Sequence, residues 1–121
     1  MQPVLGKYQV RYFRCPDCGT VQTENAWWLE EAYASPLAAT DVGAVSRNIA
    51  LARMVVAVRM LAVTAEGPCL DVGGGTGLLV RLLRDAGIDC YWEDRYAQNV
   101  FARGFEARGD QHYALLTAFE V

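Results

Sequence analysis

The segment Leu70-Asp71-Val72-Gly73-Gly74-Gly75-Thr76-Gly77-Leu78-Leu79 constrains the fold more than any other part of the chain. An apolar run ends in an acidic residue, glycines follow at alternating positions, and an amphipathic run continues from Leu78 to Leu83. This order predicts a strand, a glycine turn and a helix, the first unit of a doubly wound parallel sheet. Ligands of such sheets bind beyond the carboxyl end of the strand, where glycine lets them approach the main chain.

The spacing of the glycines narrows the class of ligand. A dinucleotide fingerprint needs Gly-x-Gly-x-x-Gly, but Leu78 stands where the third glycine would be. A phosphate-binding P-loop needs a lysine after its glycines, and this segment has none. The pattern that remains is Asp71-x-Gly73-x-Gly75-x-Gly77.

A second acidic site follows the predicted helix. The Asp85-Ala86-Gly87 sequence indicates the end of that helix, and Ile88-Asp89-Cys90-Tyr91-Trp92 predicts a second strand, which finishes at Glu93-Asp94. A carboxylate about twenty residues beyond the glycines is placed to accept hydrogen bonds from a ribose diol. The two acidic positions together favour a nucleoside-containing ligand.

The glycine pattern resembles motif I of class I S-adenosylmethionine (SAM)-dependent methyltransferases. Further stretches are similar to a subgroup in which a cysteine-knuckle segment precedes the catalytic domain. These stretches are Cys15-Pro16-Asp17-Cys18-Gly19, Trp28 to Tyr33, Thr40-Asp41 with Ser46-Arg47-Asn48, Phe101 to Glu106, and Leu116 to Val121. The resemblance covers nearly the whole chain but only about half of the family's seven-stranded domain, up to the equivalent of its fourth strand.

The resemblance implies a methyltransferase that uses SAM and a small-molecule or sugar-type acceptor, present here as an incomplete domain. Asp71 would orient the methionine amine, and Asp94, or else Glu93, would bind the ribose hydroxyls. Glu120 would lie near the transferred methyl group as a general base, although a half-buried carboxylate at a strand end is an equal alternative. The turn that would support the cofactor with its backbone comprises Gly73, Gly74, Gly75 and Gly77.

The Cys15-Pro16-Asp17-Cys18-Gly19 sequence lies between two predicted strands. Cys-x-x-Cys followed by glycine is typical of half of a zinc knuckle, but a structural zinc site needs four ligands. A metal half-site at Cys15 and Cys18, a redox pair and two unligated thiols all fit the pattern, and zinc is not expected from this chain alone. Cys69 and Cys90 fall within predicted sheet strands, so we expect them in the core.

Two helices are predicted before the glycine segment. A short one begins at Asn25 and ends before Ser35-Pro36, and a long one runs from Thr40-Asp41 to about Ala65 with apolar residues that predict cover on two sides. We therefore expect a knuckle at 1–24, helices at 25–66 and a Rossmann-like half-domain at 67–121. The predicted fold is α/β, a partial Rossmann-like parallel sheet preceded by a helical segment and a short β knuckle.

The composition limits the partners. A formal net charge of −3 argues against a nucleic-acid partner, and arginines interrupt the most apolar segment, so no membrane span is expected. No secretory leader is recognisable and a cytoplasmic location is expected. A half-sheet ends in an unpaired edge, which predicts a homodimer through that edge. The alternative function is a non-catalytic module that binds SAM or another nucleoside, or that acts through assembly.

Overall fold

The computed structural model describes residues 2–4, 7–34 and 41–119, and gives the backbone alone for residues 2–4. The chain divides into two compact units, Met1–Tyr33 and Ala34–Val121. Each unit has its own secondary structure and is described separately.

The first unit contains short antiparallel strand pairs. Strand β1 (Gln2–Val4) pairs with β2 (Tyr8–Val10), and β3 (Tyr12–Arg14) pairs with β4 (Val21–Thr23). The predicted strand, turn and strand around Cys15 to Gly19 are confirmed by the second pair. Strand β1 was not predicted from the sequence, because Gln2-Pro3-Val4 is too short for an alternating pattern to be recognised.

Helix α1 (Leu29–Tyr33) is linked to strand β2 through the side chain of Glu31. The Trp27 ring meets the Tyr8 ring edge-on, with centroids 4.8 Å apart, and the Glu31 carboxylate accepts hydrogen bonds from Lys7 and Tyr8. The helix begins later than the predicted Asn25, because Trp27 N–H donates to the Asn25 carbonyl in a preceding turn. The predicted break at Ser35-Pro36 lies outside the described residues.

Helix α2 (Ala44–Leu61) opens the second unit and is shorter than predicted at both ends. Asp41 precedes it in a turn, and Thr40 lies outside the described residues. At its other end, the Arg59 guanidinium donates to the carbonyl oxygens of Val63 and Gly67, so the chain after Leu61 is held by a side chain rather than by further helical turns.

The prediction that α2 is covered on two sides was wrong. Its Ala44, Ala52 and Val55 side chains are buried, whereas Met60 and Leu61 are 75% and 87% exposed. Apolar residues occur all round this helix, so the periodicity could not indicate which face the rest of the unit covers.

A three-stranded parallel sheet forms the centre of the second unit. Strand β5 (Cys69–Val72) is followed by helix α3 (Leu78–Asp85), strand β6 (Cys90–Glu93) and strand β7 (Leu115–Thr117), and the sheet order is β6-β5-β7. Both pairings are parallel, with Cys69 opposite Cys90 and Leu115. A single parallel bridge joins Trp92 to Glu106 on the outer side of β6. The predicted α/β class with a parallel sheet is confirmed.

The core lies between this sheet and helices α2 and α3. Helix α3 buries Leu79, Val80 and Leu83, and both cysteines of the sheet are fully buried, as predicted. On strand β7, the side chain of Leu116 faces away from the core and is 62% exposed. No helix in the described part of the chain is long and apolar enough to cross a membrane.

Candidate functional site

The glycine turn lies at the carboxyl end of the central strand β5, where the predicted site should be. Gly73, Gly75 and Gly77 have φ values of 69°, 56° and 83°, in the left-handed region that other residues rarely adopt. Gly77 precedes the first residue of α3, and a Cβ there would lie 2.9 Å from Asn99 Oδ1 and 3.0 Å from Ala102 Cβ. The alternating glycines are therefore needed for the path of the backbone itself.

Asp71 lies in β5, two residues before the turn, and its side chain is buried. The Thr117 hydroxyl of β7 donates to its Oδ1 at 2.6 Å. Burial raises the pKa of Asp71 to about 6, while the Thr117 hydrogen bond lowers it and the Asp94 charge raises it further. The sequence predicted Asp71 as a site residue but gave no indication of Thr117, which approaches it only through the β5–β7 pairing.

Asp94 follows strand β6 and is tied to the glycine turn. Its Oδ2 accepts the Gly75 N–H at 2.9 Å, and its Oδ1 accepts the N–H groups of Tyr96 at 2.8 Å and Ala97 at 2.7 Å. A carboxylate has about four acceptor positions, so three of them are already used by the main chain. Asp94 thus joins the loop after β6 to the turn.

Glu93, the fallback for Asp94, ends strand β6 with an exposed side chain. Its carbonyl oxygen accepts the Gly74 N–H at 3.0 Å, which fixes the turn against β6. The Trp92 indole adds another link, since Nε1 donates to the Gly75 carbonyl at 3.0 Å. Both acidic residues therefore lie beside the turn, Glu93 with an exposed side chain and Asp94 partly exposed.

A cavity of about 520 Å³ opens beside the turn, between β5 and the first part of α2. Its walls combine backbone, two carboxylates, one guanidinium and several apolar side chains. The residues that line these walls are Asp41, Ala44, Arg47, Asn48, Ala50, Leu51, Asp71, Gly73–Gly75, Thr76, Leu78, Leu79 and Phe119. The volume and mixed lining are those of a site for a small organic molecule.

The α2 side of the cavity carries an ion pair. Arg47 donates from Nη1 and Nη2 to the two carboxylate oxygens of Asp41, at 2.9 and 2.6 Å. These hydrogen bonds hold the pKa of Asp41 below its ordinary value. Of the Ser46-Arg47-Asn48 stretch named in the resemblance, the structure places Arg47 and Asn48, but not Ser46, on the cavity wall. The pairing with Asp41 was not predicted, because it crosses the start of the helix.

A second depression, of about 450 Å³, lies at the end of β6. Trp92, Glu93 and Asp94 border it on one side, and Gln111 and Tyr113 on the other. The Gln111 Oε1 atom is buried, and none of the described protein groups donates a hydrogen bond to it. Buried acceptors of this kind are usually satisfied by an internal water molecule.

The Cys15 and Cys18 thiols lie in the turn between β3 and β4, in the first unit. The Cys18 thiol hydrogen-bonds to Thr20 Oγ1 at 3.2 Å, and hydrogen bonds from Thr20 and Cys15 lower the pKa of Cys18 to about 7. Within residues 7–34 and 41–119, no group of three or more His, Cys, Asp or Glu side chains is arranged to hold a metal ion. Two thiolates alone do not complete a structural zinc site.

The pKa values of the two buried cysteines in the sheet are raised, whereas that of Cys18 is lowered. Burial raises the pKa of Cys69 and raises that of Cys90 to about 12. Both stay protonated at neutral pH and act as small apolar core residues.

The candidate catalytic residue, Glu120, lies outside the described residues. The described chain ends at Phe119, which lines the cavity. The position of Glu120 at the carboxyl end of the last strand therefore stays a prediction from the sequence.

Comparison of the chain with protein-family models, with curated proteins and with solved structures gives no significant match.

Proposed function

We propose that this chain is a SAM-binding domain of the class I methyltransferase type, in line with its sequence resemblance. The observation that carries the proposal is the cavity at the carboxyl end of β5, bounded by Asp71 and the backbone of Gly73–Gly75. In parallel α/β sheets this is the usual position of a ligand. The sheet order supports the same conclusion, because β5 lies between the strand that follows it and a strand from much later in the chain.

In this proposal the amino-acid end of SAM occupies the cavity, and Asp71 accepts a hydrogen bond from its ammonium group. The adenosine part extends past Gly73–Gly75 toward Glu93 and Asp94, and the ribose hydroxyls bind to Asp94 or, since that carboxylate is largely used by the main chain, to Glu93.

Methyl transfer from a sulfonium is an in-line displacement with a good leaving group, so this chain would contribute mainly by positioning. Holding a donor and an acceptor at near-attack distance lowers the barrier by about 7–11 kcal/mol in favourable cases. The acceptor is proposed to be a small molecule or a sugar. Glu120 is proposed as the general base, on the resemblance alone.

The test is calorimetric titration of the protein with SAM and S-adenosylhomocysteine. We expect saturable binding that Asp71→Asn weakens, because the amide keeps a hydrogen-bond acceptor for Thr117 but loses the charge that favours an ammonium group. Asp89→Asn is the matched control, since Asp89 pairs with Arg84 and does not line the cavity. Failure of the unmodified protein to bind either molecule would refute the proposal.

The alternative is a binding or assembly module without catalysis, and one observation favours an assembly role. Within the described part of the chain, β7 pairs only with β5, and Leu116 on it is exposed. We propose that a second copy of the chain pairs with this edge to form a homodimer. Light scattering should then give a dimer that Leu116→Lys weakens, and a monomer at tens of micromolar would contradict it.

The Cys15 and Cys18 thiols of the first unit raise the question of whether the chain binds zinc. We propose that the chain alone does not retain zinc, because Cys15 and Cys18 supply two of the four ligands that a structural site needs. Elemental analysis of the purified protein and of Cys15→Ser decides this. Stoichiometric zinc in the unmodified protein, lost in the variant, would show that the thiols complete a site in some other way.

A further inference from the structure

The backbone of the turn between β3 and β4 brings two cysteines close together. Residues 16–18 form the turn, in which the Gly19 N–H donates to the Cys15 carbonyl at 3.0 Å and the Cys15 N–H donates to the Thr20 carbonyl at 2.8 Å. The ends of a tight turn lie within about 7 Å of each other, which is also about the largest Cα separation that a disulfide bridges. The folded backbone therefore holds Cys15 and Cys18 at a separation that a disulfide can span.

The side chains of this turn are in contact, and one of them is open to solvent. The Cys15 side chain hydrogen-bonds to the Cys18 thiol, and the Thr20 hydroxyl lies 3.2 Å from the same sulfur. Both cysteines are free thiols, Cys18 exposed and Cys15 half-buried. A reagent in solution therefore reaches Cys18 first and finds a second thiol beside it.

The cysteines of the sheet are also paired but are closed to solvent. Cys69 and Cys90 lie opposite each other on β5 and β6, and both are fully buried in the core. A dissolved oxidant does not reach them while the second unit is folded. They are therefore an internal reference for any oxidation of Cys15 and Cys18.

We propose that Cys15 and Cys18 are a site of reversible oxidation, which forms a disulfide by exchange with a small-molecule disulfide such as oxidised glutathione. The Cys18 sulfur attacks one glutathione sulfur, the S–S bond of the oxidant breaks, and one reduced glutathione leaves. The Cys15 sulfur then attacks Cys18 in this mixed disulfide and releases the second reduced glutathione. In total the two thiols lose two electrons and two protons, which the two glutathione molecules gain.

The test is to equilibrate the full chain with mixtures of oxidised and reduced glutathione, stop the exchange with acid and map the peptides by mass spectrometry. Trypsin separates the two pairs, because Cys15 and Cys18 share peptide 15–47 whereas Cys69 and Cys90 fall in peptides 60–81 and 85–95. We expect peptide 15–47 to lose two hydrogen atoms, with less than about a tenth of it as a glutathione adduct, because the neighbouring thiol displaces glutathione. The other two peptides should keep their thiols, and dithiothreitol should restore both thiols of 15–47.

Two single variants separate the steps of the exchange. Cys15→Ser should stop at the glutathione adduct of Cys18, because no second thiol remains to displace it. Cys18→Ser should form its adduct about 10-fold more slowly, because the remaining thiol of Cys15 is half-buried.

The same mixtures in concentrated urea show whether the fold itself favours the bridge. We expect the equilibrium constant for the Cys15–Cys18 disulfide to be at least about 10-fold larger in the folded protein, because the turn already holds the two thiols at bridging distance. An equal or smaller constant in the folded protein would overturn the inference. Unreacted thiols, a glutathione adduct as the main product, or a bridge between two copies of the chain would overturn it as well.

Discussion

Replacing Gly77 by alanine should destabilise the second unit severely. The residue has a φ of 83°, which costs an L-amino acid about 1–2 kcal/mol. Its new Cβ would also lie 2.9 Å from Asn99 Oδ1, 3.0 Å from Ala102 Cβ and 3.1 Å from Ala102 N, and such overpacking costs about 1–3 kcal/mol. Together these effects predict that the free energy of unfolding falls by about 2–5 kcal/mol.

The matched control is Gly87→Ala. Gly87 has nearly the same φ, 85°, but a Cβ there would meet nothing within 4 Å. It should lose only the conformational part, about 1–2 kcal/mol. The difference between the two variants therefore measures the contacts of the turn with Asn99 and Ala102.

Urea denaturation followed by circular dichroism at 222 nm is the assay, because α2 and α3 supply most of the helical signal and both lie in the second unit. We expect the midpoint of Gly77→Ala to fall by about 1 M or more, and that of Gly87→Ala by clearly less, with unchanged slopes. Equal midpoints for the two variants would refute the reasoning, since they would show that the close approach to Asn99 and Ala102 costs nothing.

Two further predictions concern the carboxylates beside the turn. Burial raises the pKa of Asp71 from 3.8 to about 6, so the folded state binds this proton more tightly than the unfolded state does. This difference stabilises the folded state by about 3 kcal/mol. The stabilisation is present below about pH 4 and is lost as the pH rises through about 6. Urea unfolding at pH 4 to 7 should show that Asp71→Asn gains this amount relative to the unmodified protein, and a constant difference across that range would contradict the assignment. Asp94→Ala should speed hydrogen exchange at the amides of Gly75, Tyr96 and Ala97, which lose their common acceptor, while Asp110→Ala in an exposed loop should not.

The strand, glycine turn, helix and second strand from Cys69 to Glu93 could be predicted because local patterns determine them. Four glycines in five positions, a helix with one apolar side and a Gly87 end signal all agree over this stretch. Helix α2 could not be delimited in the same way. Its ends depend on Asp41 and Arg59, whose partners are set by the folded chain, and its apolar residues surround the helix.

The sequence indicated the acidic residues of the candidate site but not the side chains that contact them. Asp71 and the acidic pair after β6 follow from spacing, whereas Thr117 and Arg47 come to the site from strands and helices distant in sequence. Asp94 is the instructive case. An acidic residue after the second strand predicts a contact with ribose, but spacing does not show that main-chain amides already occupy most of its acceptor positions.

The hydrogen bonds of the glycine turn determine whether its N–H groups could bind a phosphate. A phosphate-binding turn points its free N–H groups at the anion. Here the Gly74 N–H donates to the Glu93 carbonyl, the Gly75 N–H to Asp94, and the Gly77 N–H to the Gly74 carbonyl at 2.9 Å. A phosphate that used the Gly75 N–H would have to displace the Asp94 carboxylate, close to the buried carboxylate of Asp71. Because these three N–H groups already have acceptors within the protein, they are not free to bind a phosphate.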